Sequence, residues 1–255
     1  MDGNDVAALE FAGLLKRFGG TVAVDHIDLE VPAGSFFGLV GPNGAGKTTS
    51  LLMAVGLLRP DGGTVRIFGR DVWADPVGAK TLIGVLPDGM ALPERLTGRE
   101  ILRYLGLLRG LPADVVEQRT DELLSVLELD HAEDTAVIDY STGMKKKITL
   151  ATALLHSPRL LLLDEPFEAV DPVSAATIRT ILQRFVAAGG SVIFSSHVMA
   201  LVERLCDHLA VIDKGRVVTS GPLDAVRGGQ SLEDAFVGII GARAGGAEGL
   251  SWLAS

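Results

Sequence analysis

The chain has 255 residues, 47% of them hydrophobic and 5% aromatic, with a formal net charge of −9. The length suits one large α/β domain or two small ones, with a core built on Leu, Val, Ile and Ala rather than on aromatic rings. The acid excess argues against a broad nucleic-acid surface, although a loop of backbone N–H groups can hold the phosphates of one nucleotide without net positive charge.

The single cysteine, Cys206, excludes an internal disulfide and fits a reducing compartment. The longest uninterrupted apolar run, Leu51 to Leu58, is far short of the roughly 20 residues of a membrane-spanning helix. Met1 to Glu10 carries acidic but no basic side chains, unlike a secretory signal. The chain is therefore expected to be soluble by itself and to meet a membrane only through a partner.

In chain order, Val22–Val24 and Ile27–Val31 alternate as strands before a turn at Pro32–Gly34. Ser35–Val40 is an apolar run suited to a buried parallel strand. A helix is predicted from Lys47 to about Leu58, a turn at Asp61–Gly63 and a strand over Thr64–Phe68. From Thr97 to Leu129 apolar residues recur at helical spacing, broken at Leu111–Asp114, with Asp114 the expected N-cap of the second helix. Leu160–Leu163 and Ser191–Phe194 read as short buried strands, and Leu209–Ile212, Lys214-Gly215 and Arg216–Val218 as a hairpin. The chain beyond Gly241 is rich in Gly and Ala and is expected to be flexible.

Gly41-Pro42-Asn43-Gly44-Ala45-Gly46-Lys47-Thr48 fits G-x-x-x-x-G-K-[ST], the phosphate-binding loop, between a predicted strand and a predicted helix. Its backbone N–H groups must converge on phosphates, which calls for small side chains at Gly44 and Gly46. Lys47 is expected at the β- and γ-phosphates and the Thr48 hydroxyl at Mg²⁺; Thr49 adds to the cradle, and the dipole of the helix that begins here favours the anion. Leu160–Leu163 then delivers Asp164 and Glu165 at a strand end. Asp164 is the candidate Mg²⁺ ligand and Glu165 the group that orients and deprotonates the attacking water.

With these motifs, the chain from about Val6 to Gly241 resembles the ABC (ATP-binding cassette) ATPase family. Tyr140-Ser-Thr-Gly-Met144 stands at the family's Leu-Ser-Gly-Gly-Gln signature, Ala169-Val-Asp171 at its D-loop, Leu86-Pro-Asp88 at its Q-loop, and His197 after a strand at its switch histidine. The resemblance implies an α/β P-loop core with a mainly parallel sheet (residues 6–88 and 145–227), an N-terminal antiparallel β subdomain, and an inserted helical lobe with the signature (89–144), within one domain over 6–241 and ahead of a tail at 242–255. It implies ATP sandwiched between two cassettes: Ser141 and the Gly143 amide would face the γ-phosphate held by the other subunit, and Asp171 would hydrogen-bond across the dimer. Phe18 would stack on adenine, His197 would sense the γ-phosphate, and Asp88, where the family usually has Gln, would ligate Mg²⁺ or hold water. Lys145, Lys146 and Lys147 read either as a solvated basic face or as a cationic rim near the shared phosphates.

The Tyr-Ser-x-Gly-Met form of the signature, the Leu92–Glu100 segment and the Ser231–Phe236 helix resemble the family's drug- and antibiotic-exporter branch. That implies an ATPase on the cytoplasmic face of the cell membrane, joined to a separate transmembrane permease and to a second cassette, with no nucleic-acid partner. A nucleic-acid- or ribosome-linked ABC ATPase is the alternative. The compact lobe between Lys47 and Ser141, the single cassette and the net charge disfavour it. A regulatory cassette with weak hydrolysis is a third reading, opposed by the presence of Lys47, Asp164, Glu165 and His197.

Overall fold

The computed structural model describes residues 6–87, 89 and 92–241. The first part of the chain forms β1 (Leu9–Phe18), β2 (Thr21–Val31), β3 (Phe36–Val40), α1 (Lys47–Ala54), β4 (Gly62–Ile67), β5 (Arg70–Asp71), α2 (Pro76–Thr81) and β6 (Ile83–Leu86). Two helices follow, α3 (Gly98–Leu108) and α4 (Ala113–Val126), then α5 (Thr142–Leu154), β7 (Leu160–Leu163), α6 (Pro172–Ala187) and β8 (Ser191–Ser196). The remainder is α7 (Met199–Leu205), β9 (His208–Asp213), β10 (Arg216–Pro222), α8 (Leu223–Arg227) and α9 (Leu232–Gly241).

Among the described residues the strands make two sheets. One is antiparallel, in the order β2-β1-β4-β5; the other runs β10-β9-β3-β8-β7-β6 and is parallel except for β10. The central strands are buried on both faces, as parallel strands covered on both sides must be. Their side chains alternate between two cores. Val40, Leu161, Leu163 and Phe194 face the helices. Phe37, Leu39, Leu160, Leu162 and Ile193 face α1 and the antiparallel sheet. The antiparallel sheet thus braces the back of the strand that leads into the phosphate loop.

Several elements differ from the sequence expectation. The two short N-terminal strands are one, β2, and α1 stops at Ala54 rather than near Leu58. The expected turn at Gly62-Gly63 opens β4 instead. Asp114 is not the N-cap of α4. Pro112, with φ −57, holds that position, and Asp114 lies in the first turn, where its charge complements the helix dipole without capping an amide. By contrast α3 begins with a full capping box: Thr97 Oγ1 accepts from the Glu100 amide, and Glu100 Oε2 accepts from the Thr97 amide. Arg99 of α3 grips Asp121 of α4 at 2.7 Å, and Arg119 of α4 donates to the Leu155 carbonyl at the end of α5, so the helices are tied as a group.

Candidate active site

The phosphate loop leaves β3 at Gly41 and enters α1 at Lys47. A Cβ on Gly41 would lie 2.2 Å from the Ile212 carbonyl oxygen, and one on Gly46 2.6 Å from that of Ala23, so neighbouring strands hold the loop too tightly for a side chain at either place. Gly44 has open space around it; its demand is conformational, φ +76. The N-terminus of α1 has no side-chain cap and no acidic residue in its first turn. Its orphan amides are left to an anion. Asn43, Gly44, Ala45, Gly46, Lys47, Thr48 and Thr49 line one cavity of about 390 Å³ with Ala23, Glu165, Glu168 and His197.

Lys47 is buried, and its Nζ donates back to the Gly41 carbonyl at 2.7 Å and the Pro42 carbonyl at 3.1 Å. Burial pushes its pKa down, opposed by the charges of Glu165 and Asp164. A cation held by neutral carbonyls in a confined loop is poised to exchange them for phosphate oxygens.

Across the cavity, β7 is flanked by β6 and β8, and its end carries the two acids. Asp164 is buried, and its Oδ1 accepts a short hydrogen bond from Ser195 Oγ. The same hydroxyl accepts from the Glu165 amide at 2.9 Å, so one serine fixes both acids. The sequence pattern alone does not single out Ser195; its signal is a pair of hydroxyls, Ser195 and Ser196, that follows the apolar run Val192–Phe194 in a buried strand. Glu165 takes a left-handed backbone, φ 44, and its Oε1 lies 3.1 Å from His197 Nδ1, whose N–H donates to the carboxylate. Phe167 packs edge-on against Phe194 with ring centroids 6.0 Å apart, anchoring the turn that follows. Thr48 and Asp164 also line a common small cavity beside Leu86 and Pro87.

The signature serine does cap its helix: Ser141 Oγ accepts from the Met144 amide at 3.2 Å. Gly143 is buried against the start of α6, where a Cβ would lie 2.5 Å from Ser174 Oγ and 2.7 Å from Asp171 Oδ2. Asp171 is itself the N-cap of α6, accepting from Val173 and Ser174 amides, which with the Ser174 side chain hold its carboxyl below the usual range. Signature and D-loop therefore meet within one chain. The three lysines of the run meet different acceptors, each a carboxylate or a carbonyl. Lys145 pairs with Glu94, buried Lys147 with Glu128, and Lys146 reaches the Glu165 carbonyl.

Phe18 ends β1 at the turn into β2. Its ring is half exposed with Lys16 Nζ 5.6 Å from the centroid, and Ala23, rather than Phe18, lines the phosphate cavity. The Asp88 expectation and the 242–255 tail lie outside the described residues. Among the described residues no three or more His, Cys, Asp or Glu side chains cluster as a ready metal site.

A strand–loop–helix phosphate cradle facing two carboxylates at the end of a neighbouring parallel strand defines a P-loop nucleoside-triphosphatase. Residues 24–168 match the ABC transporter family. The chain is 40% identical over 221 residues to the daunorubicin/doxorubicin resistance ATP-binding protein DrrA of Streptomyces peucetius, covering 87% of this chain and 67% of that protein. It is 39% identical over 215 residues to the Nod factor export ATP-binding protein I of Cupriavidus metallidurans, covering 84% of this chain and 71% of that one. Among solved structures, an ATP-binding subunit of an ABC transporter superposes with a TM-score of 0.85 at 29% identity, covering 91% of this chain and 99% of that one. The chain belongs to the ABC transporter family as an ATP-binding, ATP-hydrolysing subunit, and its α/β fold is that of the family. Among the described residues no helix is long and apolar enough to cross a membrane.

Proposed function

We propose that this subunit energises export of a substrate through a separate transmembrane permease, working as one of a pair of cassettes on the cytoplasmic face of the cell membrane. The observation that carries the chemistry is that Lys47, Thr48, Glu165 and His197 line one cavity. Lys47 and the α1 amides bind the phosphates. Asp164 and Thr48, both oxygen donors of the kind Mg²⁺ prefers, would hold the ion, which supplies charge neutralisation at the phosphoryl group. Glu165, aimed by its left-handed backbone and by His197, takes the proton from the attacking water. Phe18 supplies the adenine face. Ser141 and Gly143 open α5 toward a nucleotide bound on the second cassette, and Asp171 stands at the same junction. The direction of transport follows the relatives, named for drug resistance and Nod factor export.

The permease seat is read from a second cavity, about 280 Å³ and largely apolar, between the end of α1, β6, α3 and α5. Val55, Leu57, Val85 and Leu105 line it, Lys80 and Arg109 add charge, and Leu57 stands two-thirds exposed. Burying such residues on a partner stabilises association by roughly 1.5–3 kcal/mol for each large side chain fully covered. Two variants test the proposal. Lys47→Ala should abolish Mg-ATP binding in isothermal titration; wild-type affinity would remove the site assignment. Leu57→Asp should leave the isolated ATPase intact but free the chain from permease-containing membranes. Undiminished membrane retention and substrate efflux would refute the seat.

A further inference from the structure

Lys146 turns from the first turns of α5 toward the hydrolytic centre, where its Nζ donates to the backbone carbonyl of Glu165 at 3.1 Å. That carbonyl belongs to a residue at φ 44, a conformation that a side-chain-bearing residue keeps only where its surroundings over-determine it. The constraints on Glu165 can be named. Its amide donates to Ser195 Oγ, its Oε1 accepts from His197 Nδ1, and its carbonyl accepts from the Glu168 amide at 3.2 Å as well as from Lys146. Ser195, His197 and Glu168 all belong to the strand ends and turn around β7 and β8. Among the partners described, Lys146 alone comes from α5.

We propose that Lys146 is a positioning residue for hydrolysis: its ammonium holds the left-handed peptide of Glu165 and so ties the aim of the carboxylate to the placement of α5. The inference rests on the reading of Glu165 as the group that activates water. α5 opens at Ser141, the end assigned to a nucleotide on the second cassette, and Lys146 lies about 7.5 Å further along the same helix axis at 1.5 Å per residue. Seating of that helix end on one nucleotide is thereby linked to the set of the base at the other. When α5 is drawn away from β7, the Glu165 carbonyl loses its cationic donor and the strained turn is free to relax; when α5 is seated, the donor returns. Lysine suits this work, since a compact cation with three donors on a flexible stem keeps a charge-assisted bond through small shifts of the helix. Lys146 does not line the phosphate cavity, so its effect falls on the rate after binding and not on nucleotide affinity.

The experiment compares steady-state ATP hydrolysis by the full chain carrying Lys146→Met, Lys146→Arg, Lys145→Met or Glu165→Gln, with thermal unfolding of each. Lys146→Met keeps the stem and removes the cation. Its kcat should fall on the order of ten- to a hundredfold, the range of a charge-assisted hydrogen bond felt at the transition state, with KM for ATP within about twofold of wild type. Lys146→Arg should recover most of the loss, and Lys145→Met, whose lysine pairs with Glu94, should keep the wild-type rate. A Lys146→Met enzyme with wild-type kcat beside an inactive Glu165→Gln enzyme would overturn the positioning role and leave the base assignment standing. Wild-type turnover by Glu165→Gln would overturn the base assignment and the positioning role together. A raised KM with unchanged kcat, a loss that Lys146→Arg does not restore, or an equal loss in Lys145→Met would also overturn the role of Lys146.

Discussion

Ser195→Ala is the sharpest test of how the two acids are held. The hydroxyl is fully buried, donates to Asp164 Oδ1 and accepts from the Glu165 amide. Alanine removes both bonds and offers nothing in return. A hydrogen bond to a charged group contributes roughly 1.5–3 kcal/mol, and an amide left unsatisfied in the interior costs about 1–3 kcal/mol. The two share one atom and do not add in full, so the expected destabilisation is about 2–4 kcal/mol. At roughly 2–4 °C per kcal/mol for a chain of this size, the unfolding midpoint should fall by on the order of 5–15 °C. ATP hydrolysis should fall further than stability requires, because Asp164 and Glu165 lose their common brace while Lys47 and the phosphate loop are untouched. Scanning calorimetry on the nucleotide-free chain measures the first effect. Turnover well below the melting transition measures the second. A midpoint within 1 °C of wild type with full activity would refute the brace.

Two further outcomes follow from packing and charge. Gly143→Ala gains about 1 kcal/mol of helix propensity but forces a Cβ to 2.5 Å from Ser174 Oγ and 2.7 Å from Asp171 Oδ2; overpacking of that kind costs about 1–3 kcal/mol, so urea unfolding should show net loss, and a more stable variant would mean that α5 and α6 do not meet there. His156 donates from Nε2 to the Ile83 carbonyl, and burial with the charges of Arg109 and Arg119 pushes its pKa down to about 4 despite that bond. The unfolded chain, with histidine near pH 6.5, takes up this proton first, so the folded state is fully favoured above that pH and loses stability as pH falls toward 4. The ceiling is about 3 kcal/mol, and partial solvent access brings the expected loss to about 1–2 kcal/mol. His156→Gln should flatten the pH dependence of urea unfolding over that window, and an unchanged slope would contradict the assignment.

The α/β class, the phosphate loop and the acidic strand end were legible because each rests on a local pattern: a strand, a glycine-rich loop and a helix start, or an apolar run ending in two acids. β1 was hidden because it does not alternate cleanly. Its register against β2 shifts between Phe11 and Leu14, where Gly13 takes φ 59 and its amide donates to Asp28 Oδ1, so the sequence shows no period of two across the bulge. β6 is four residues long, too short to carry a period. The link of Ser195 and Lys146 to Glu165 is not legible for a different reason. Each acts on Glu165 from 30 and 19 residues away along the chain, a juxtaposition set by strand order and by the packing of α5. The lysine run read as one feature, yet successive residues on a helix point about 100° apart, which sends three neighbouring cations to three separate partners.

We propose that ATP is bound and cleaved between two cassettes, with Glu165 as the base. Light scattering of Glu165→Gln with saturating Mg-ATP or Mg-ADP, alongside its turnover, tests this most directly. Glutamine keeps the shape and loses the base, so hydrolysis should fall on the order of 10²–10⁴-fold while bound ATP, contacted by both chains, drives dimerisation by mass action. The account predicts a dimer with ATP and a monomer with ADP. A Glu165→Gln chain that stays monomeric in saturating ATP, or that hydrolyses ATP at the wild-type rate, would contradict it.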